Sequence, residues 1–269
     1  MKENEGQSSV VRRFLASMAE KGKHVFKLED AIPYWSSPHM ARKALSRLER
    51  RGWLKRLERG LYLIVPLDAG PSGQWSEDPL VIAAQLAPEG AVAYWTALHY
   101  WGMTEQIPRT IIVQTIHRRY KSRDTILGVR YHFIVVVERK LFGVITSVRD
   151  GLPIRITDRE KTLIDALDRP DLCGGIAQVI ETLESPEPMD WEKVDAYMDL
   201  MNSGAVYKRM GYLVEELDIS IPDQQRWLTN WKKRITKGIA LLEPGRKKTG
   251  PIKSPWRVRI NIRAMEDSS

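Results

Sequence analysis

Between Pro38 and Arg51 the chain carries His39, Arg42, Lys43, Ser46, Arg47 and Arg50. The three- and four-residue steps among them place side chains on one face of a helix. The chemistry of such a face is hydrogen-bond donation to an electron-rich, anionic surface. A guanidinium pairs bidentately with guanine O6 and N7, and such a pair is worth about 1–3 kcal/mol of discrimination against the wrong base. In helix-turn-helix readers, the residues nearest the helix N-terminus reach the base edges. His39, Arg42 and Lys43 are therefore assigned to base edges, and Arg47, Arg50 and Arg51 to phosphates. Ser37 and Ser46 supply hydroxyls beside them. Lys55, Arg56 and Arg59, a few residues on, suit backbone or minor-groove contact. A merely solvated basic face is the competing reading of the helix alone.

Those residues need elements to hold them. Val10, Val11, Phe14, Leu15 and Met18 recur at helical spacing, and Gly22 ends that helix. A short helix fits Leu28 to Tyr34. Ser37 as N-cap and Pro38 at the first helical position start a third helix that runs to about Arg51. Its apolar stripe is Ala41, Ala44, Leu45 and Leu48, and Gly52 stops it. Trp53–Leu57, Glu58-Arg59-Gly60 and Leu61–Val65 then read as a β-hairpin. Three helices and a hairpin give a winged helix-turn-helix over residues 1–67, which favours DNA binding over the solvated face.

Residues 68–79 have the glycine, proline and serine content of a linker, with Trp75 as an anchor on one side or the other. Residues 80–269 form a larger α+β domain with a mixed sheet followed by helices. Helices are expected at Leu80–Leu86 and Val92–Trp101. Strands follow at Thr110–Ile116, Val129–Val137, Val144–Val148 and Pro153–Ile156. Five helices come next: Asp158–Leu167, Ile176–Leu183, Trp191–Met201, Val206–Leu217 and Gln224–Ile235. A last strand is expected at Trp256–Ile262.

Charge agrees with this division. The net charge is +8. Residues 1–67 hold 14 Lys/Arg against 7 Asp/Glu, and residues 232–263 hold 11 against the single acid Glu243. Cations concentrated at the two ends of the chain suit a phosphate backbone. One cysteine, Cys173, rules out an intramolecular disulfide and a thiolate zinc site. The polar N-terminus is not a signal peptide, and the longest apolar runs, such as Phe133–Val137, fall far short of the ~20 residues of a membrane span. The expectation is a cytoplasmic chain.

Catalytic signatures are weak. There is no Walker loop, no dinucleotide glycine fingerprint and no metal-ligand spacing among His24, His39, His99, His117 and His132. No cofactor or metal is expected. Thr157-Asp158-Arg159-Glu160 reads as a capping box, with Thr157 as cap and Glu160 reaching back. A metal-dependent nuclease would use Asp158 and Glu160 differently, and a ligand-sensing regulator is a further alternative.

Four segments carry a family resemblance. They are Arg51–Tyr62; Tyr94–Leu98 with Trp101-Gly102-Met103; Ile156–Asp165; and Val206–Leu213, echoed by Trp256–Asn261. In this order the chain resembles the AbiE-type (AbiEi) antitoxins of type IV toxin–antitoxin pairs. The resemblance implies a non-enzymatic transcriptional repressor that binds inverted repeats in its own promoter. It further implies that the C-terminal domain neutralises a nucleotidyltransferase-like toxin, with or without a stable complex. It gives Arg159, Lys161, Lys208 and Arg209 a surface role in antitoxicity or DNA contact; solvent-facing helix residues are the plainer reading of Arg159 and Lys161. Separately, the basic run Lys232, Lys233, Arg234 and Lys237, with Arg246, Lys247, Lys248 and Lys253, is expected to form a second basic surface against DNA, or against an RNA.

Overall fold

The structure, a computed structural model, describes residues 2–65, 78–118, 123–185 and 188–262. The chain divides into two compact units, Met1–Glu77 and Asp78–Ser269. Apart from its last two residues, the linker expected at 68–79 lies outside the described residues, as does Trp75.

In unit 1, α1 (Lys2–Glu20) leads to β1 (Val25–Lys27), α2 (Leu28–Ala31) with a 3₁₀ turn Ile32–Tyr34, α3 (Pro38–Arg50), β2 (Leu54–Glu58) and β3 (Leu61–Ile64). The strands form an antiparallel sheet in the order β1-β3-β2, with Val25 opposite Leu63 and Leu54 opposite Ile64. This is the element order of a winged helix. Two features differ from the sequence reading. α1 begins near Lys2 rather than Val10, and Val25–Lys27 is a third strand on the hairpin rather than a connector. Three residues are too few to show an alternation, so only the partner strand reveals this one.

The core of the unit explains why α3 is held. Phe14, Met18, Phe26, Ala31, Leu45, Leu48, Leu54 and Tyr62 are buried together. Phe14 lies 5.0 Å from the Phe26 ring and 5.3 Å from those of Tyr34 and Trp35. Burying a leucine such as Leu45 contributes about 1.5–3 kcal/mol. Tyr34 Oη donates to Ser17 Oγ at 2.6 Å, tying the 3₁₀ turn before α3 to α1.

Unit 2 opens with α4 (Pro79–Leu86), β4 (Ala91–Val92), α5 (Tyr94–Tyr100), β5 (Thr110–Thr115), β6 (Arg123–Ile126), β7 (Val129–Val135), β8 (Val144–Arg149) and β9 (Leu152–Thr157). Five helices follow: α6 (Arg159–Asp168), α7 (Ile176–Glu184), α8 (Trp191–Met201), α9 (Gly204–Glu216) and α10 (Gln224–Lys233). Three short strands close the fold: β10 (Ala240–Leu241), β11 (Ile252–Lys253) and β12 (Val258–Arg259).

β4 to β9 make one mixed sheet, in the order β6-β7-β5-β4-β9-β8. β5 runs parallel to β7 and β4 parallel to β9, while the other pairs are antiparallel. Alternation along the strands splits the two faces. Tyr131 and Phe133 are buried on one, where Tyr131 Oη donates to Pro79 O at 3.3 Å in α4. Ile112 and Ile134 join the helical core on the other. That core is filled by Leu163, Val179, Val194, Met198, Met210, Leu213, Trp227, Trp231 and Trp256. A sheet followed by a helical layer is the α+β class expected from the order of elements.

Three local expectations are corrected. The helix expected from Val92 starts at Tyr94, because Ala91 and Val92 are drawn into the sheet between β5 and β9. The strand expected at Trp256–Ile262 is reduced to Val258–Arg259. Thr157 is not the cap of α6. Asp158 caps it, accepting from Lys161 N at 2.8 Å, while the Thr157 hydroxyl lies 2.8 Å from that of Thr162. Glu160 does not reach back along the helix; it takes Lys193 Nζ at 2.9 Å and Asp190 N at 3.3 Å, joining α6 to α8.

Candidate nucleic-acid interface

The start of α3 is built as its residues dictate. Ser37 is extended, its Oγ accepts from Met40 N at 3.2 Å, and Pro38 occupies the first turn. Ser37 therefore spends its acceptor on capping, a bond worth about 1 kcal/mol. The helix ends at Gly52, whose φ of +78° is costly for residues with a Cβ.

With Ala41, Leu45 and Leu48 buried, the opposite side of α3 is presented outward. His39, Arg42, Lys43, Ser46 and Arg50 are exposed, Arg47 is half-buried, and Arg51 is exposed just beyond the helix. On the hairpin, Arg56 and Arg59 are exposed and Lys55 is half-buried. Arg59 sits at the turn between β2 and β3 beside Gly60, which has φ +79° and whose carbonyl accepts from Leu28 N at 2.8 Å. In unit 1, α3 and the β2–β3 hairpin thus carry cations outward from a shared core.

Some of these cations have contacts within the unit, Arg47 among them. Arg50 Nε reaches its own helix at Ser46 O, 3.4 Å, and Arg56 Nε reaches Glu58 O, 3.3 Å. The ion pair between Lys23 and Asp30, 3.1 Å, uses none of them. A guanidinium not paired with a carboxylate keeps its donors available for a partner. Trp53, between Arg51 and Lys55, is 48% exposed. The sequence reading used it only as a strand residue, and a large aromatic among cations was the available signal.

The residues picked out in unit 2 are not brought together on one surface. Lys161, Lys208 and Arg209 are buried, which corrects the surface role expected of them. Lys161 pairs with Asp165 four residues on and stands 4.6 Å from the Phe142 ring centre. Lys208 Nζ donates to Thr236 Oγ1 at 2.8 Å and to Gly238 O at 2.7 Å, and burial lowers its pKa. Arg209 donates to Leu167 O at 2.6 Å and Leu241 O at 2.9 Å, bridging α6 and β10 across α9; burial brings its pKa down to about 10. Lys208 and Arg209 thus join α9 to the segments around residues 167 and 236–241 through hydrogen bonds. Arg159 is half-buried on the first turn of α6.

Of the later run, Lys233 is exposed. Lys232 pairs with Glu215 at 2.6 Å, and Arg234 with Asp195 at 2.8 Å and Asp199 at 3.4 Å. The two acids a nuclease would use are also engaged. Asp158 accepts from Tyr197 Oη at 2.9 Å, and Lys193 Nζ lies 3.1 Å from Asp158 and 2.9 Å from Glu160.

Residues 13–65 match the model of a family described as "Transcriptional regulator, AbiEi antitoxin". The match spans the described part of unit 1 from within α1 to the end of β3, so the likeness to these regulators is one of this unit. The crystal structure of the RV2827C protein from Mycobacterium tuberculosis is similar in fold, with a TM-score of 0.63 at 15% identity, covering 93% of this chain and 90% of that one. No curated protein matches the chain.

Proposed function

We propose that the chain is a transcriptional repressor of its own promoter and the antitoxin of a type IV pair. In this reading, residues 1–67 bind duplex DNA, residues 68–79 link, and residues 80–269 neutralise a nucleotidyltransferase-like toxin without catalysis of their own. The observation that carries the DNA-binding half is the outward face of α3, where His39, Arg42, Lys43, Ser46 and Arg50 are all exposed, in a segment of AbiEi-regulator type. His39, Arg42 and Lys43 take base edges in the major groove, and Arg47, Arg50 and Arg51 take phosphates. Ser46 donates its hydroxyl beside them, and Ser37 orients the helix. Lys55, Arg56 and Arg59 hold the adjacent backbone or minor groove.

The antitoxic half is supported by the description of the family that residues 13–65 match and by the resemblance carried by Ile156–Asp165 and Val206–Leu213. Lys233, exposed on α10, is proposed as part of the expected second surface.

The test is nuclease footprinting on the DNA upstream of the chain's own reading frame, paired with co-expression alongside the neighbouring frame. Protection of an inverted repeat upstream and restored growth in the presence of a nucleotidyltransferase-like neighbour are expected. Protection spread evenly over all DNA, with no rescue of growth, contradicts the reading.

A further inference from the structure

Among the described cations of unit 2, Arg246, Lys247 and Lys248 stand exposed on one loop. β10 and β11 are joined through Gly245-Arg246-Lys247-Lys248-Thr249-Gly250, and residues 245–249 are all exposed. The segment is bracketed by glycines in the left-handed region, Gly245 at φ +89° and Gly250 at φ +98°. Its backbone is pinned from the end of the chain. The buried Asn261 accepts from Glu243 N at 2.9 Å and donates to Glu243 O at 2.9 Å and Lys247 O at 3.2 Å. Arg259 Nη1 donates to Gly250 O at 2.9 Å, and Ile260 N to Pro251 O at 2.9 Å.

The neighbouring acids are already committed. Glu243 is buried and accepts from Ile176 N at 2.7 Å, and Asp171 is held by Arg169 through bonds of 2.9 and 2.7 Å. Arg246 shares the rim of a cavity of ≈ 580 Å³ with these two acids, so its charge is partly balanced. Lys247 and Lys248 are in no ion pair among the described residues.

We propose that this loop is a second phosphate-contacting surface, for the backbone of duplex DNA. The proposal rests on the reading of unit 1 as a DNA-binding domain. A held loop fixes the backbone from which its lysines project, which reduces the main-chain ordering cost of binding. Lysine ammonium groups and the Thr249 hydroxyl are backbone-contact chemistry rather than base-reading chemistry. A single strand is bound with the help of exposed aromatic rings on which bases stack. The loop offers none, and the nearby Trp256 is fully buried. The contact is accordingly independent of sequence and adds to whatever α3 reads.

The test uses the full chain with Lys247→Ala/Lys248→Ala, two exposed positions where alanine leaves the fold intact. Binding is followed by fluorescence anisotropy across a salt series, on a duplex from the chain's own upstream region, on a scrambled duplex of equal length and on a single-stranded RNA. Each lost phosphate contact reduces the slope of log K against log salt by about 0.9. The expected result is a slope smaller by about 1.8 on both duplexes, with the preference between them unchanged. An unchanged slope on both duplexes overturns the proposal, and so does a loss confined to single-stranded RNA. The loop is judged on the scrambled duplex and the operator reading on the preference of the wild type, so either can fail alone.

Discussion

Replacing Lys161 by alanine lowers the stability of unit 2 by about 3–5 kcal/mol, the cost of leaving a buried charge without its partner. Lys161 and Asp165 are 0% and 2% exposed and are paired within α6. Burial already raises the Asp165 pKa, and Lys161 pulls it back down. Without the ammonium the carboxyl rises further and must be buried either charged, at high cost, or protonated. A folded-state pKa above the unfolded value means that the native state holds the proton more tightly. Stability from this group is therefore greatest below the unfolded pKa and is lost as pH rises through the folded one. The deficit of Lys161→Ala is thus smaller at pH 5 than at pH 8. Denaturant titration followed by tryptophan fluorescence at both values checks it. A second variant, Lys161→Met with Asp165→Leu, recovers most of the loss, because a buried ion pair is often replaceable by apolar residues of similar volume. A deficit under 1 kcal/mol that does not change with pH contradicts the assignment.

Gly211→Ala is the second large effect. A Cβ at Gly211 would stand 2.0 Å from Cζ3 of Trp256 and 2.2 Å from Cε3 and Cη2. The clash is with the body of a fully buried ring, not with the tip of a flexible side chain. The indole is further fixed by its bond to Glu215, with Lys232 5.3 Å above its face. Overpacking of this kind costs about 1–3 kcal/mol, and sometimes more; the upper end applies where neither partner can turn aside. α9 and the segment around β12 separate as a result, so hydrogen exchange accelerates at 256–261 before it does in unit 1. Adding Trp256→Leu makes room for the methyl, and the double variant loses less than the sum of the two single changes. A strictly additive pair would show that the contact is not what holds the two elements together.

Legibility in the sequence followed locality. α3 was visible in full because its N-cap, first-turn proline, apolar stripe and terminal glycine lie within sixteen residues of one another. α6 to α10 were visible from their 3.6-residue stripes. β4, β10 and β11, two residues each, carry no periodicity, and the order β6-β7-β5-β4-β9-β8 depends on pairings between distant segments. At the candidate site the outward set on α3 was readable from spacing alone, since a helix whose apolar stripe is buried must present the opposite side. Lys161, Lys208 and Arg209 were misplaced because charge type suggests exposure. Their burial rests on Asp165 in one case and on carbonyls of residues 167, 238 and 241 in the others, partners that a linear pattern does not display. Asp158 displaced Thr157 as the cap of α6 by a single residue, the ordinary scale of uncertainty at a helix end.

In the proposed function the N-terminal half of α3 reads base edges while the hairpin holds phosphates. The measurement that tests it most directly is the affinity of three proteins for a panel of duplexes, each with one base pair of the protected repeat changed. The proteins are the wild type, Arg42→Ala/Lys43→Ala and Arg59→Ala. Arg42→Ala/Lys43→Ala should bind the panel almost evenly, losing about 1–3 kcal/mol of discrimination for each bidentate pair removed. Arg59→Ala should weaken every duplex by the same factor and lower the salt slope by about 0.9. Intact discrimination in the first variant, with preference lost in the second, would contradict the account.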